Sequence, residues 1–267
     1  MKRIYIIWLY LVTFFIFIIF TIPASAANLR PLVTIDACAL PKGQVELRLG
    51  GSYIKDRWFP FEGHDTDRRE ADLPSIDLMI GLTDDIEVDF SYSAIYRESE
   101  RFSWDYDSGD LSIMGKARLW KETPDIPNIT LAVCTKLPNS DYDERFGTDE
   151  FDFFSLLLLS KYVKGVSLFA NGGLGILGNP KEENDQDDAF VYAVGLGYPL
   201  NKNLILLVDV SGWAASDNGK NNYSRVTTGL QWQVGSFRLD FGARVGLNEK
   251  SEDWGVITGA TYILNLF

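Results

Sequence analysis

Apolar and polar residues alternate with a period of two along most of the chain. The clearest run is Phe237-Arg238-Leu239-Asp240-Phe241-Gly242-Ala243-Arg244-Val245-Gly246-Leu247, apolar at odd positions and charged or Gly at most even ones. That period places the apolar set on one face of a β-strand. Runs of this kind predict about 12 strands, near 44–55, 73–82, 86–97, 109–120, 128–137, 151–162, 166–177, 189–199, 204–214, 223–234, 237–247 and 254–267. Their connections alternate in length. Short turns fall at Thr83-Asp84-Asp85, 121–127, Val163-Lys164-Gly165, 200–203 and Gly235-Ser236. Longer polar loops fall near 56–72, 98–108, 138–150, 178–188, 215–222 and 248–253.

Alternation alone fits two architectures. In a soluble sandwich the apolar face meets a second sheet, whereas in a membrane barrel it meets lipid and the polar face lines a lumen. The loop lengths separate the two. An even strand number with short turns at one end and longer loops at the other is the bacterial outer-membrane pattern. The expected fold class is therefore all-β, a transmembrane antiparallel up-and-down β-barrel with both termini in the periplasm. Aromatic residues near strand ends, such as Tyr92, Tyr96, Trp120, Phe151, Trp232 and Trp254, suit girdles at the two membrane interfaces. The chain closes on Phe267, an imperfect terminal signal for the barrel assembly machinery, since Thr261 and Asn265 share its face.

The first 26 residues read as a signal peptide. Lys2 and Arg3 precede an apolar run from Ile4 to Ile22, and Ala24-Ser25-Ala26 supplies a cleavage site. Export leaves a segment 27–43 on the periplasmic side and a barrel over 44–267. A formal net charge of −12 speaks against nucleic acid as partner. The acid gathers in loops such as 181–188, which reads as a solvated surface. Expected partners are outer-membrane lipid and lipopolysaccharide, and a small-molecule solute.

Alternation assigns an inward acidic set of Glu46, Asp77, Glu87, Asp89, Asp110, Asp152, Asp209 and Asp240. The matching basic set is Arg48, Arg97, Lys116, Arg118, Lys136, Arg225, Arg238 and Arg244. Charges at membrane depth face water or one another, because lipid exposure costs about 2–4 kcal/mol at the midplane. Two nearly balanced sets predict cross-strand ion pairs around a narrow hydrated lumen. That lumen is either a filter acting by size and charge or a filled interior that passes little.

Residues 30–47 read Arg-Pro-Leu-Val-Thr-Ile-Asp-Ala-Cys-Ala-Leu-Pro-Lys-Gly-Gln-Val-Glu-Leu. This stretch resembles the mature start of the meta-pathway phenol-degradation outer-membrane family, often labelled transporters. Gly109 to Arg118, Thr135-Lys136-Leu137-Pro138 and Phe169 to Gly175 are similar to later parts of that family. The resemblance implies a barrel that passes small, often aromatic or apolar, compounds. Cys38 stands where a small residue such as Gly is expected.

Segment 27–43 carries Pro31 and Pro41 and few strand signals, so it is expected to tuck into the periplasmic mouth as a plug. Cys38 could there pair with Cys134, which alternation turns inward. Two cysteines cannot build a structural zinc site alone. No cofactor motif is present, and His64 is the single histidine, beside Asp65 in a loop. The chain therefore reads as a channel or transporter and not as an enzyme. The alternative is a non-transporting structural or surface-interaction barrel.

Overall fold

The computed structural model describes residues 29–57, 68–99, 102–141, 146–180, 186–215 and 222–266. The expected signal peptide, His64 and Phe267 lie outside these residues. Thirteen strands occur among them: β1 Gln44–Lys55, β2 Arg69–Gly81, β3 Ile86–Ser99, β4 Phe102–Ser108, β5 Leu111–Trp120, β6 Asn128–Leu137, β7 Asp152–Val163, β8 Val166–Gly178, β9 Gln186–Pro199, β10 Leu204–Ala215, β11 Tyr223–Val234, β12 Phe237–Gly246 and β13 Trp254–Asn265. Each pairs antiparallel with its sequence neighbours, except that β4 and β5 do not pair with each other, and β1 pairs with β13 from Gln44↔Asn265 to Lys55↔Trp254. The sheet is thus closed through the β1–β13 seam. Strands β4 and β5 both pair with β3, one above the other, and together form a single stave. The barrel therefore has 12 staves.

Three expected loops are shorter than the sequence suggested. Residues 102–108 are strand, not loop, because Trp104 and Tyr106 alternate with acids and face outward. Tyr106 stacks on Tyr96 at 5.9 Å. Between β4 and β5, Asp110 leaves the ladder and accepts bonds from Asn139 N, Ser140 N and Ser140 Oγ. Strand β2 starts at Arg69, before Pro74, since a register shift between Asp72 and Ser75 absorbs the missing donor. Strand β9 likewise takes in Gln186 to Asp188.

The core is inverted relative to a soluble sheet. On β12 Phe241 is 60% exposed while Arg238 and Asp240 are 2% and 7% exposed. The largest fully buried side chains include Lys116, Glu46, Glu70, Glu87 and Asp209. An apolar exterior around a polar interior is stable only where the solvent is hydrocarbon. Short turns join the strands at one rim. Lys164 and Gly165 both have positive φ, 49° and 91°, as a two-residue turn matching strand twist requires.

Candidate functional site in the barrel interior

Residues 29–43 do not join the sheet. They fold into the barrel from the short-turn rim, where inward side chains of the wall bind their backbone. Gln231 accepts from Arg30 N at 3.2 Å and donates to Arg30 O at 2.9 Å. Asn171 does the same for Ile35, at 2.7 and 2.8 Å. Asp209 accepts from Leu32 N, Thr34 N and the Thr34 hydroxyl. Thr130 donates to Ala37 O, Lys116 to Cys38 O, and Glu87 accepts from Leu40 N. Buried peptide groups must be paired, and here side chains replace a neighbouring strand.

Apolar contacts complete the fit. Ala37 and Ile35 pack with Ala132, Leu156 and Leu158. Leu29 and Leu32 pack with Phe169 and Leu207. Wall glycines make room: a Cβ on Gly195 would stand 2.8 Å from Thr34 Oγ1, and one on Gly229 2.7 Å from Leu32 Cδ1.

The inward charges form three tiers. Nearest the short turns, Glu87 binds Lys116 at 3.0 Å and Arg30 at 3.1 Å, while Arg238 forks onto both oxygens of Glu46. Burial alone would lower the Arg30 pKa, but the Glu87 and Glu46 carboxylates outweigh it and hold the guanidinium charged. Arg118 sits at this rim, bonded to Asp85 and to Asp84 O. In the middle, Arg48 bridges Asp77 and Asp240 at 3.2 and 2.8 Å. Asp89 and Asp209 lie at similar depth. Towards the long loops, Lys136 pairs with Asp110 and Asp152, and Arg225 with Glu252. Arg97 lies over the Phe146 ring at 4.3 Å. Arg244 has Arg225, Tyr223, Glu252 and Arg57 as its charged or titratable neighbours.

Alternation over strands could not supply the flanking members of these tiers. Arg30 precedes β1, and Arg57 and Glu252 sit in connections. Arg57 binds Glu70 and Asp72, and Arg68 binds Glu70 at 2.8 Å. The signal for the last pair was present: Glu70-Ala71-Asp72-Leu73 already alternates, but Pro74 hid the strand.

The expected disulfide is not formed, and both cysteines are free. Cys38 Sγ lies 3.3 Å from Asn128 Nδ2 at the start of β6. Cys134 is six residues further along that strand, about 20 Å away, whereas a disulfide needs Cα atoms within about 7 Å.

Three cavities follow one another along the axis. The first, about 430 Å³, opens at the short-turn rim beside Cys38, Asn128 and Ser160. A second, about 350 Å³, lies behind Arg30 to Asp36 against Arg48, Asp89 and Asp240. A third, about 400 Å³, occupies the long-loop end. Its lining mixes Phe146, Phe154, Trp213 and Tyr223 with Arg57, Lys136 and Arg225. Phe146, after β6, is buried and narrows this vestibule. Segment 29–43 stands between the first cavity and the other two.

Two outcomes follow from this packing. Burial, reinforced by Asp36, pushes the Cys38 thiol up to about 11, so its thiolate is scarce at pH 8. In a Cys134→Ser background, maleimide or disulfide reagents should label Cys38 more than about a hundredfold slower folded than in denaturant. Separately, Glu87→Ala takes the carboxylate from Lys116 and leaves Arg30 only Glu46, at 3.8 Å. Loss of one member of a buried ion pair should cost about 3–5 kcal/mol, read from denaturant unfolding in detergent.

Comparison with solved structures places the barrel among outer-membrane proteins. An outer membrane channel from Pseudomonas putida F1 superposes with a TM-score of 0.67 at 10% identity, over 89% of this chain and 100% of that one. The NanC porin gives 0.57 at 9% identity, over 81% and 98%. The β domain of the Bordetella autotransporter BrkA gives 0.50 at 11% identity, over 84% and 100%. At these identities the likeness speaks for the fold. A search of curated protein sequences found no match. A family profile, in contrast, matches residues 31–264, almost the whole described barrel together with its internal segment. The chain belongs to the family described as "Putative MetA-pathway of phenol degradation".

Proposed function

We propose that the protein is a passive outer-membrane channel for small molecules, closed by residues 29–43 and opened when that segment withdraws. The observation that carries this reading is the run of cavities along the axis, interrupted where the segment crosses. A barrel with a purely structural role gains nothing from such space, since wall side chains could fill it. On this reading the short-turn rim is periplasmic, as are both chain ends. The long loops contact lipopolysaccharide, and the barrel assembly machinery inserts the chain.

The mixed aromatic and cationic vestibule suits small aromatic or apolar compounds that carry a polar handle. Trp213 and Tyr223 rings sit 5.5 Å apart there, and Arg225 lies over Tyr223 at 5.2 Å. The family's description, which speaks of phenol degradation, agrees with that class. The charged tiers act as the selectivity elements. Liposome swelling over aromatic and aliphatic solutes of equal size tests the proposal. Aromatic solutes should enter faster, and Trp213→Ala should erase the difference. Equal rates for both classes would remove the assigned preference.

A further inference from the structure

The middle cavity contains a row of side chains that no ion pair of the tiers accounts for. Met79 pairs with Asp89 across β2 and β3, Asp89 with Met114 across β3 and β5, and Met114 with Cys134 across β5 and β6. Directly paired residues share a face, and all four line the same cavity of about 350 Å³. The chain has three methionines and two cysteines in total, so this row holds most of its sulfur. One oxygen of Asp89 is buried and has no hydrogen-bond partner among the described residues. Two thioethers, a thiol and a carboxyl oxygen without a partner therefore line one space.

We propose that this row binds a single soft monovalent cation, Cu(I) or Ag(I). Thioether and thiol sulfur select such ions over the hard divalent cations, which need oxygen cages. The row has no histidine, and no group of three His, Cys, Asp or Glu side chains at ligand spacing occurs among the described residues. The donor set is thus defined by sulfur. Methionine reaches far on an unbranched, flexible chain, so thioethers from Met79 and Met114 can meet over Asp89, which pairs with both. The Cys134 thiolate supplies the balancing charge, and Asp89 a neighbouring oxygen. Binding converts the Cys134 thiol to a metal thiolate and releases one proton to solvent, with no change in oxidation state. The bound ion would lie beside Ile35, against the inner end of segment 29–43.

The test uses the full-length mature barrel in detergent, carrying Cys38→Ser so that one thiol remains. Titration with Ag(I) in chloride-free buffer should show one ion bound per barrel. Calorimetry in buffers of different ionisation enthalpy should show one proton released. X-ray absorption should report more than one sulfur around the metal. Met79→Leu and Met114→Leu conserve volume, so the barrel should fold, as sheet dichroism would check. Each should weaken Ag(I) by about tenfold or more, as ligand loss does at metal sites. A hundredfold excess of Mg(II) should not compete. Unchanged affinity in the double Met→Leu variant would mean a thiol acting alone and would overturn the site. Failure of the folded Cys38→Ser barrel to bind one Ag(I) would do the same.

Discussion

Barrels lacking residues 28–42 should conduct at least about tenfold more current in planar bilayers than the full-length protein, in discrete steps. The deletion removes every peptide group that Gln231, Asn171, Asp209 and Thr130 bind, together with Arg30 and the Ile35 and Ala37 contacts. It leaves all 12 staves and the β1–β13 seam intact, since Gln44 is the first paired residue. Water replaces the lost partners of the freed polar wall groups at small cost. Asp209→Ala is the milder form of the same experiment. It removes three bonds, from the amides of Leu32 and Thr34 and from the Thr34 hydroxyl, and should give frequent short openings. Identical currents from the full-length and shortened proteins would show that the segment does not control passage. Silence from a folded, shortened barrel would show that the pore is closed elsewhere, as at Phe146.

Phe241→Arg should nearly abolish insertion, whereas Arg244→Ala should insert normally and alter ion selectivity. Both positions lie on β12, three residues apart, and differ in the face they occupy. Phe241 lies mid-strand, 60% exposed on the outer face opposite Leu230 and Thr258. An arginine there meets hydrocarbon, at about 2–4 kcal/mol near the midplane. That range lowers the inserted fraction by about thirtyfold or more. Arg244 faces the vestibule near Arg225 and Glu252, where alanine removes a charge without touching lipid. Fractionation of outer membranes, followed by bilayer recording of the inserted variant, reads both effects. Equal tolerance at the two positions would refute the assignment of faces.

The barrel was legible because its solvent leaves a mark on every second residue. Phe237 to Leu247 shows the pattern most plainly, and slipping it by one position would send Arg238 and Asp240 into lipid. Two of the three places where strands ran on unnoticed share one cause. Acid in Asp105 and Asp107, and Pro74 after Asp72, carry loop signals that neighbouring strands override. The path of residues 29–43 was legible only as an expectation of a plug. Three of its wall partners, Gln231, Asn171 and Thr130, are neutral and carry no charge pattern to read. The charged tiers followed from alternation, while Arg30, Arg57 and Glu252 lay outside any strand and escaped it. The Cys38–Cys134 pairing failed because both were placed at the mouth, and strand rise separates them along β6.

Segment 29–43 begins and ends at the same rim. Leu29 packs on Phe169 and Leu207 near the starts of β8 and β10, and Gly43 bonds Gly81 O beside the β2–β3 turn. Between them the backbone dips to Asp209, about 17 Å along its strand, and returns. A loop that dips and returns never threads the cylinder, so it can lift out sideways from the aperture with no seam parted and no terminus dragged through. Its departure is then a matter of shedding contacts one after another, and its timescale is set by those bonds alone.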